Sequence, residues 1–360
     1  MDLTTERTSS TAAVDTHAHF FGLDVSDALA GIEDSRWPTL RVDSPDGGSI
    51  MLGDKSFRTV RSALWDVDAR IAELDVAGVA VQLISPVPVM LAYWAEEAFG
   101  VACARATNDS IAAAVAGSRG RLAGLGTVPL PHVGAAIEEL RRVVVDLGLV
   151  GVEIGTQIAG EDLDAPRLAP FFEAAESLGA VLFVHPTDGG GGVIRRAGQP
   201  YDFGLGMITD TAIAATALVF GGVLARFPAL RVALAHGCGS FAWAYPRLSL
   251  GARIWHDADQ DRLDELLRSL WVDSLVFDPE HLRLLVSRFG PGHVMLGTDY
   301  PFIPGQLEGA RDFLAAARAA GALSADTARD ILAANGFAFI GKPVDVGAVA
   351  AERYTPRSIR

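Results

Sequence analysis

Five residues spread along the chain carry the chemistry: His17, His19, His185, His236 and Asp299. The first two stand two positions apart in VDTHAHF. In an extended strand, residues i and i+2 share a face, so His-x-His presents two imidazoles in one direction as a two-armed chelator. The others fall near the ends of the apolar runs AVLFVHP, RVALAHG and HVMLGTDY. A single histidine in such a place is usually a core residue with a hydrogen bond. Several imidazoles and a carboxylate around one axis are costly to bury unless a cation takes up their lone pairs and charge. Three imidazoles and one carboxylate, with no thiolate pair beside them, suit Zn²⁺, while Mn, Fe or Co accept a similar nitrogen and oxygen set. His17, His19, His185 and Asp299 supply those four ligands. That leaves His236 as the catalytic acid/base, because a bound cation makes a water more acidic and a free imidazole nearby can carry its proton.

These residues meet only if the intervening elements gather strand ends. Short apolar runs alternate with helical patterns, and segments 14–19, 78–85, 121–130, 150–156, 180–186, 231–237, 270–276 and 293–300 read as strands. Between them, GAAIEELRRVVVDLG repeats Ile137, Leu140, Val144 and Leu147 at helical spacing, and PRLAPFFEAAESLG opens on proline and closes on glycine. Eight strands, each followed by a helix, describe an α/β fold, the (β/α)8 TIM barrel, whose reactive residues stand at the carboxyl ends of strands. The expected domain is one barrel over 13–341, after a lead-in at 1–12 and before a C-terminal arm at 342–360. Residues 20–65 are richer in Gly, Asp, Ser and Pro and read as a small insertion, or lid, between strands one and two. Within it, SIMLGDKSFRTV places the Gly53-Asp54 turn pair between two strand-like runs and predicts a hairpin.

Composition narrows the partners. Half of the 360 residues are hydrophobic and the formal charge is −14, which suits a protein with a large core and opposes binding to phosphate backbones or anionic membranes. Nucleic acid and membrane are therefore not expected as partners. The apolar stretch 212–225 is short for a bilayer span and ends at Arg226, so it reads as a buried helix. Cys103 and Cys238 are too few for a disulfide framework, and the first thirteen residues lack the apolar centre of a secretory signal. A cytoplasmic location is expected.

The motifs DTHAH, FVHP, AHGCGSF, VDSLVFDP, LGTDYPF and NGFAFIG resemble the decarboxylase branch of the amidohydrolase superfamily, of the aminocarboxymuconate semialdehyde decarboxylase type. The similarity runs over about residues 50 to 341. It implies a barrel with one zinc held by His17, His19, His185 and Asp299, with His236 as acid/base, in a homodimer. It also implies that Arg58, in the motif FRTV, binds a carboxylate of the substrate, and that Phe302 walls the pocket. A planar guanidinium fork suits that contact.

The match fails in places. After His185 the family continues with a tryptophan, where this chain has Thr187, four glycines and Gln199. A second family arginine, given across the dimer, aligns with Trp255, and Arg253 stands two positions away. Glu153 occupies the strand where binuclear relatives place a bridging ligand, and a structural role is expected for it here. Cys238 replaces a family glycine and is expected as a packed thiol. The expected function is zinc-dependent, non-oxidative decarboxylation of a small unsaturated or aromatic carboxylic acid, aminocarboxymuconate semialdehyde-like or hydroxybenzoate-like, without an organic cofactor. The alternative is a metal-dependent hydrolase of an amide, lactone or vinylogous acyl bond.

Overall fold

The computed structural model describes residues 12–29, 34–187 and 189–341. The C-terminal arm and all but the last residue of the lead-in lie outside the described residues. Strand β1 (Ala13–Phe20) is buried at every position. A segment buried on both faces belongs in a parallel sheet covered by helices.

The chain then makes a three-stranded antiparallel sheet, β2 (Pro38–Ser44), β3 (Gly47–Leu52) and β4 (Lys55–Arg61). The expected hairpin is its β3–β4 half: Leu52 pairs with Lys55 across the turn, and Gly53 takes a left-handed φ of 56° that favours glycine. Strand β2 was not anticipated. Its sequence PTLRVDS alternates apolar and polar residues only briefly, has one buried residue and lies largely on the surface. Phe21, Trp37, Ile50, Val60 and Met90 join this lid to the barrel through their own small core.

The remaining barrel strands are β5 (Val79–Pro86), β6 (Leu122–Gly126), β7 (Gly151–Gly155), β10 (Val181–His185), β11 (Arg231–Leu234), β12 (Trp271–Asp273) and β13 (Val294–Met295). A small hairpin, β8 (Gln157–Ile158) with β9 (Glu161–Asp162), follows β7. The eight barrel strands form one sheet in the order β1-β5-β6-β7-β10-β11-β12-β13. An isolated parallel bridge between Ala18 and Tyr300 brings the last strand back to the first. Hydrogen bonds across that seam run from Thr16 N to Leu296 O (2.8 Å), His19 N to Tyr300 O (2.7 Å) and Asp299 N to His17 O (2.8 Å). The architecture is a (β/α)8 barrel.

Each expected strand segment contains a strand, but six are shorter than expected, β6, β12 and β13 by the most. The β6 ladder stops at Gly126, ahead of Pro129 and Pro131, which have no N–H to give. The β12 and β13 ladders stop at Asp273 and Met295, where the chain bends to carry site residues, Asp299 among them with a left-handed φ of 54°. The helix expected through Leu147 is α-helical only over Val133–Arg141 and widens to a π-turn over Arg142–Asp146.

Alternation along the strands makes two apolar layers. Leu83, Leu125, Phe183 and Met295 fill the barrel, whereas Ile84, Val152, Leu182 and Val184 pack outward under the helices. Helix starts are fixed locally. Asp66 accepts from Ala69 N at the helix Val67–Ala77, and Asp278 accepts from Glu280 and His281 N ahead of the helix Pro279–Phe289. The stretch 212–225 lies in the helices Met207–Phe220 and Val223–Arg226, with Ala214, Ala215 and Leu218 fully buried. By length and composition the run Asp202–Arg226 could cross a membrane, but 56% of its most apolar window is buried in the barrel's own packing.

Candidate metal centre and active site

The end of β1 turns His17 and His19 into the barrel mouth, where they meet His185 at the end of β10 and Asp299 just after β13. In each of the three imidazoles Nδ1 is engaged: His17 with Asp273 Oδ2 at 2.6 Å, His19 with Pro86 O at 2.8 Å, and His185 with Pro186 O at 2.7 Å. Each Nδ1–H donating outward leaves Nε2 as a lone pair facing in. All three Nε2 atoms are buried and have no hydrogen-bond partner. Asp299 Oδ1 lies 3.1 Å from His19 Nε2 and 3.7 Å from His17 Nε2. One ligand atom from each of the four residues falls within 4.8 Å of all the others. Converging orphaned nitrogens and a carboxylate form a donor set that a divalent cation satisfies, so these residues fit a metal ion.

Charge follows from this crowding. Burial would raise the Asp299 carboxyl, but the facing imidazoles, His19 first, hold it down to about 2. Burial would lower His17, but the carboxylate of Asp273 raises it to about 9. His185 is pushed well below the usual histidine range by burial and by its imidazole neighbours.

His236 stands just past β11, its Nε2 4.0 Å from Asp299 Oδ2 and its ring 5.0 Å from that of His185. Burial and the neighbouring His17 lower it to about 4, so it is uncharged at neutral pH. Its backbone adopts a left-handed φ of 55°, as unusual as that of Asp299. Asp273 holds this turn and the metal cluster together. Its Oδ2 accepts from His17 Nδ1 and His236 N (2.9 Å), and its Oδ1 accepts from Gly237 N (2.8 Å) and Leu275 N (3.1 Å). The sequence reading missed Asp273. Its one visible signal was an acid at the end of a strand otherwise made of apolar residues.

A buried web lies beneath. Arg70 donates to His19 O (2.5 Å), Gln82 Oε1 (2.6 Å) and Ala63 O (2.9 Å). Asp15 accepts from Gln82 Nε2 (2.8 Å), Thr298 Oγ1 (2.6 Å) and His17 N (3.2 Å). Gly297 lets the strands approach, since a Cβ there would meet Asp273 Cβ at 2.6 Å and His17 Cβ at 2.9 Å.

Glu153 is buried on β7, outside the four-residue cluster. Ser85 Oγ donates to its Oε2 at 2.6 Å, its Oε1 has no partner, and burial raises the carboxyl to about 7. Arg58 reaches from the lid to the loop after Asp299: its guanidinium lies 4.6 Å from the centre of the Phe302 ring and donates to Phe302 O at 3.3 Å. Phe302 in turn stands 5.4 Å from the ring of His19. The structure thus places both expected substrate contacts at the mouth. Cys238 is buried, and burial raises its thiol far above the ordinary range, as suits a packed side chain. Arg253 and Trp255 lie exposed on the helix Phe241–His256, pointing to no group of their own subunit's metal cluster.

Residues 14–340 match the family model described as amidohydrolase. A 2-amino-3-carboxymuconate-6-semialdehyde decarboxylase of Dictyostelium discoideum is 36% identical, over 85% of this chain and 88% of its own length. The solved structure of 5-carboxyvanillate decarboxylase from Sphingomonas paucimobilis superposes with a TM-score of 0.76 at 26% identity, covering 92% of this chain and 99% of that one. A second 5-carboxyvanillate decarboxylase, from Novosphingobium aromaticivorans and solved with manganese and a nitrobenzoic acid, shares the fold with a TM-score of 0.71 at 19% identity, over 95% and 99% of the two chains. The chain belongs to the amidohydrolase family, as one of its decarboxylases.

Proposed function

We propose that this decarboxylase removes CO2 non-oxidatively from a small unsaturated or aromatic carboxylic acid, with one zinc ion per subunit held by His17, His19, His185 and Asp299. The observation that carries the reading is the convergence of three orphaned Nε2 atoms on one carboxylate. Such an ion, when bound, supplies positive charge that stabilises the electron density left as the C–C bond breaks. The protein's residues do the rest. Heterolysis leaves the bonding pair on the carbon that bore the carboxylate; His236, uncharged at rest, first takes a proton from water at the mouth, and its Nε2 then gives that proton to the carbon and returns to the neutral form. An imidazole whose basicity is depressed by burial first and by its neighbours second, as here, is a strong proton donor once charged. Arg58 anchors an anionic group of the substrate away from the leaving carboxylate, and Phe302 flanks the ring. Zinc is favoured by the imidazole-rich set, although the Novosphingobium aromaticivorans protein was solved with manganese.

The test is to strip the protein of metal, reload it with Zn²⁺, Mn²⁺, Fe²⁺ or Co²⁺, and follow CO2 release from muconate-type and hydroxybenzoate acids. Activity restored best by zinc, with one ion per chain, is expected. Full activity after exhaustive chelation would sink the reading.

We also infer a homodimer. The outer face of the helix Phe241–His256 exposes Trp243 (82%), Leu250, Ile254 and Trp255 (76%), an apolar stripe of the kind that subunit contacts cover. Ile254→Glu is expected to halve the mass measured by light scattering, and an already monomeric wild type would refute the inference.

A further inference from the structure

A groove of about 380 Å³ opens where β10, β11 and β12 end. One wall is the segment entering the helix Met207–Phe220, another is the start of the helix Phe241–His256, where Trp243 borders both the groove and the inferred subunit contact, and the others are the loop after β12 and the helix Pro279–Phe289. His236 forms part of its lining, so the groove is continuous with the reactive centre. Its other polar side chains are Ser240 and His281. Phe203, Met207, Ile208, Leu275 and Phe277 face it, and no carboxylate, lysine or arginine lines it.

Its rim is built with some strain. Phe277 adopts a left-handed φ of 58°, a backbone state that bulky side chains avoid. That state brings its ring within 6.0 Å of Phe203, and the two remain 52% and 40% exposed. Two large aromatic residues therefore stand partly in solvent beside a histidine that must act on a substrate.

We infer that the substrate carries an apolar substituent, alkyl or aryl, which lies in this groove while its reacting carbon faces His236. The inference rests on the decarboxylase reading and narrows its substrate class. A charged substituent would lose hydration here and gain no carboxylate, lysine or arginine to pair with, whereas each buried methylene favours binding by about four-fold. A volume of this size and lining is typical of a small-molecule subsite.

The experiment uses the full-length, metal-loaded protein and calorimetric titration with three acids: 2,6-dihydroxybenzoate and its 3-propyl and 4-propyl derivatives. At least one propyl acid is expected to bind about sixty-fold more tightly than the parent, from three carbons at about four-fold each. Gly204 lines the groove, and a Cβ added there meets no atom within 4 Å, so Gly204→Trp puts bulk into the groove without a backbone clash. That variant is expected to bring the affinity ratio to about one, and Met207→Trp repeats the test from a neighbouring position should the first not fold. The inference falls if neither propyl acid gains affinity in the wild type, or if the gain survives both substitutions. A missing gain together with a change in molecular mass on Gly204→Trp would assign the groove to a second copy of the chain, and the inference would likewise fall. Should the ratio hold while none of the acids releases CO2, the decarboxylase reading fails and the groove assignment stands.

Discussion

Two walls of one barrel mouth bury polar groups in opposite ways. On the wall made by β1, β10 and the turn after β13, three imidazole nitrogens lack partners and face a single carboxylate. Next to β10 on β7, Glu153 stands 3.8 Å from His19 Nδ1 with one oxygen bonded to Ser85, the other unpaired, and its ionisation displaced by burial to about 7. A lone buried carboxyl can relieve its desolvation by keeping a proton. A ring of imidazoles cannot do so at every member: burial first and neighbouring imidazoles second push His185 and His236 down, while Asp273 holds His17 up. The first wall is built for a cation and the second for a neutral acid.

Asp299→Ala should break this contrast most severely. Without its one carboxylate the imidazole wall loses its cation, and both metal content by elemental analysis and CO2 release should drop to background. Metal retained at full stoichiometry would remove Asp299 from the ligand set. His236→Ala should separate ligand from acid: the metal stays while turnover falls about 10²- to 10⁴-fold. Equal metal loss in the two variants would contradict the division.

Asp273→Ala should act one step further out. It frees the His17 ring and the His236 turn together, and an orienting carboxylate of this kind is worth about 10- to 100-fold in metal affinity, measurable by competition with a chromophoric chelator. The smallest effect belongs to the other wall. Glu153→Gln keeps an acceptor for Ser85 and should leave metal affinity unchanged. Because the folded-state carboxyl titrates at about 7 rather than near 4.5, the wild type loses stability as pH rises across that window and does not regain it above. The metal-free glutamine variant should therefore match wild type near pH 4.5 and exceed it, on the order of 2 kcal/mol, above pH 7 in urea unfolding. Equal stability at pH 8 would mean that Glu153 is already an ordinary carboxylate.

The same contrast marks what could be read in the chain. Strand periodicity placed His17 and His19 on one face, and the apolar runs ending in His185, His236 and Asp299 made a barrel mouth the one economical way to join them. The turn at Gly53-Asp54 was legible because left-handed backbone has a residue signature. Asp273 was not, since its meaning comes from His17 and the His236 turn, which reach it only in the folded barrel. Nothing in the sequence singled out Arg70, yet it is wholly buried with its fork on His19 O and Gln82. Strand β2 escaped notice because its alternation is short and largely exposed, within a segment read as a Gly-, Asp-, Ser- and Pro-rich insertion. Motifs show residues that act at short range, and partners distant in sequence stay hidden until topology brings them together.

The seam between the first and last strands sets a condition on assembly. Two donors near the start of the chain and one near its end must stand side by side before the cation has a complete nest. A nascent chain still lacking Asp299 cannot finish that nest, however well its earlier βα units have formed. Tight ion uptake is thus a late event in synthesis, and it certifies that the circle has shut.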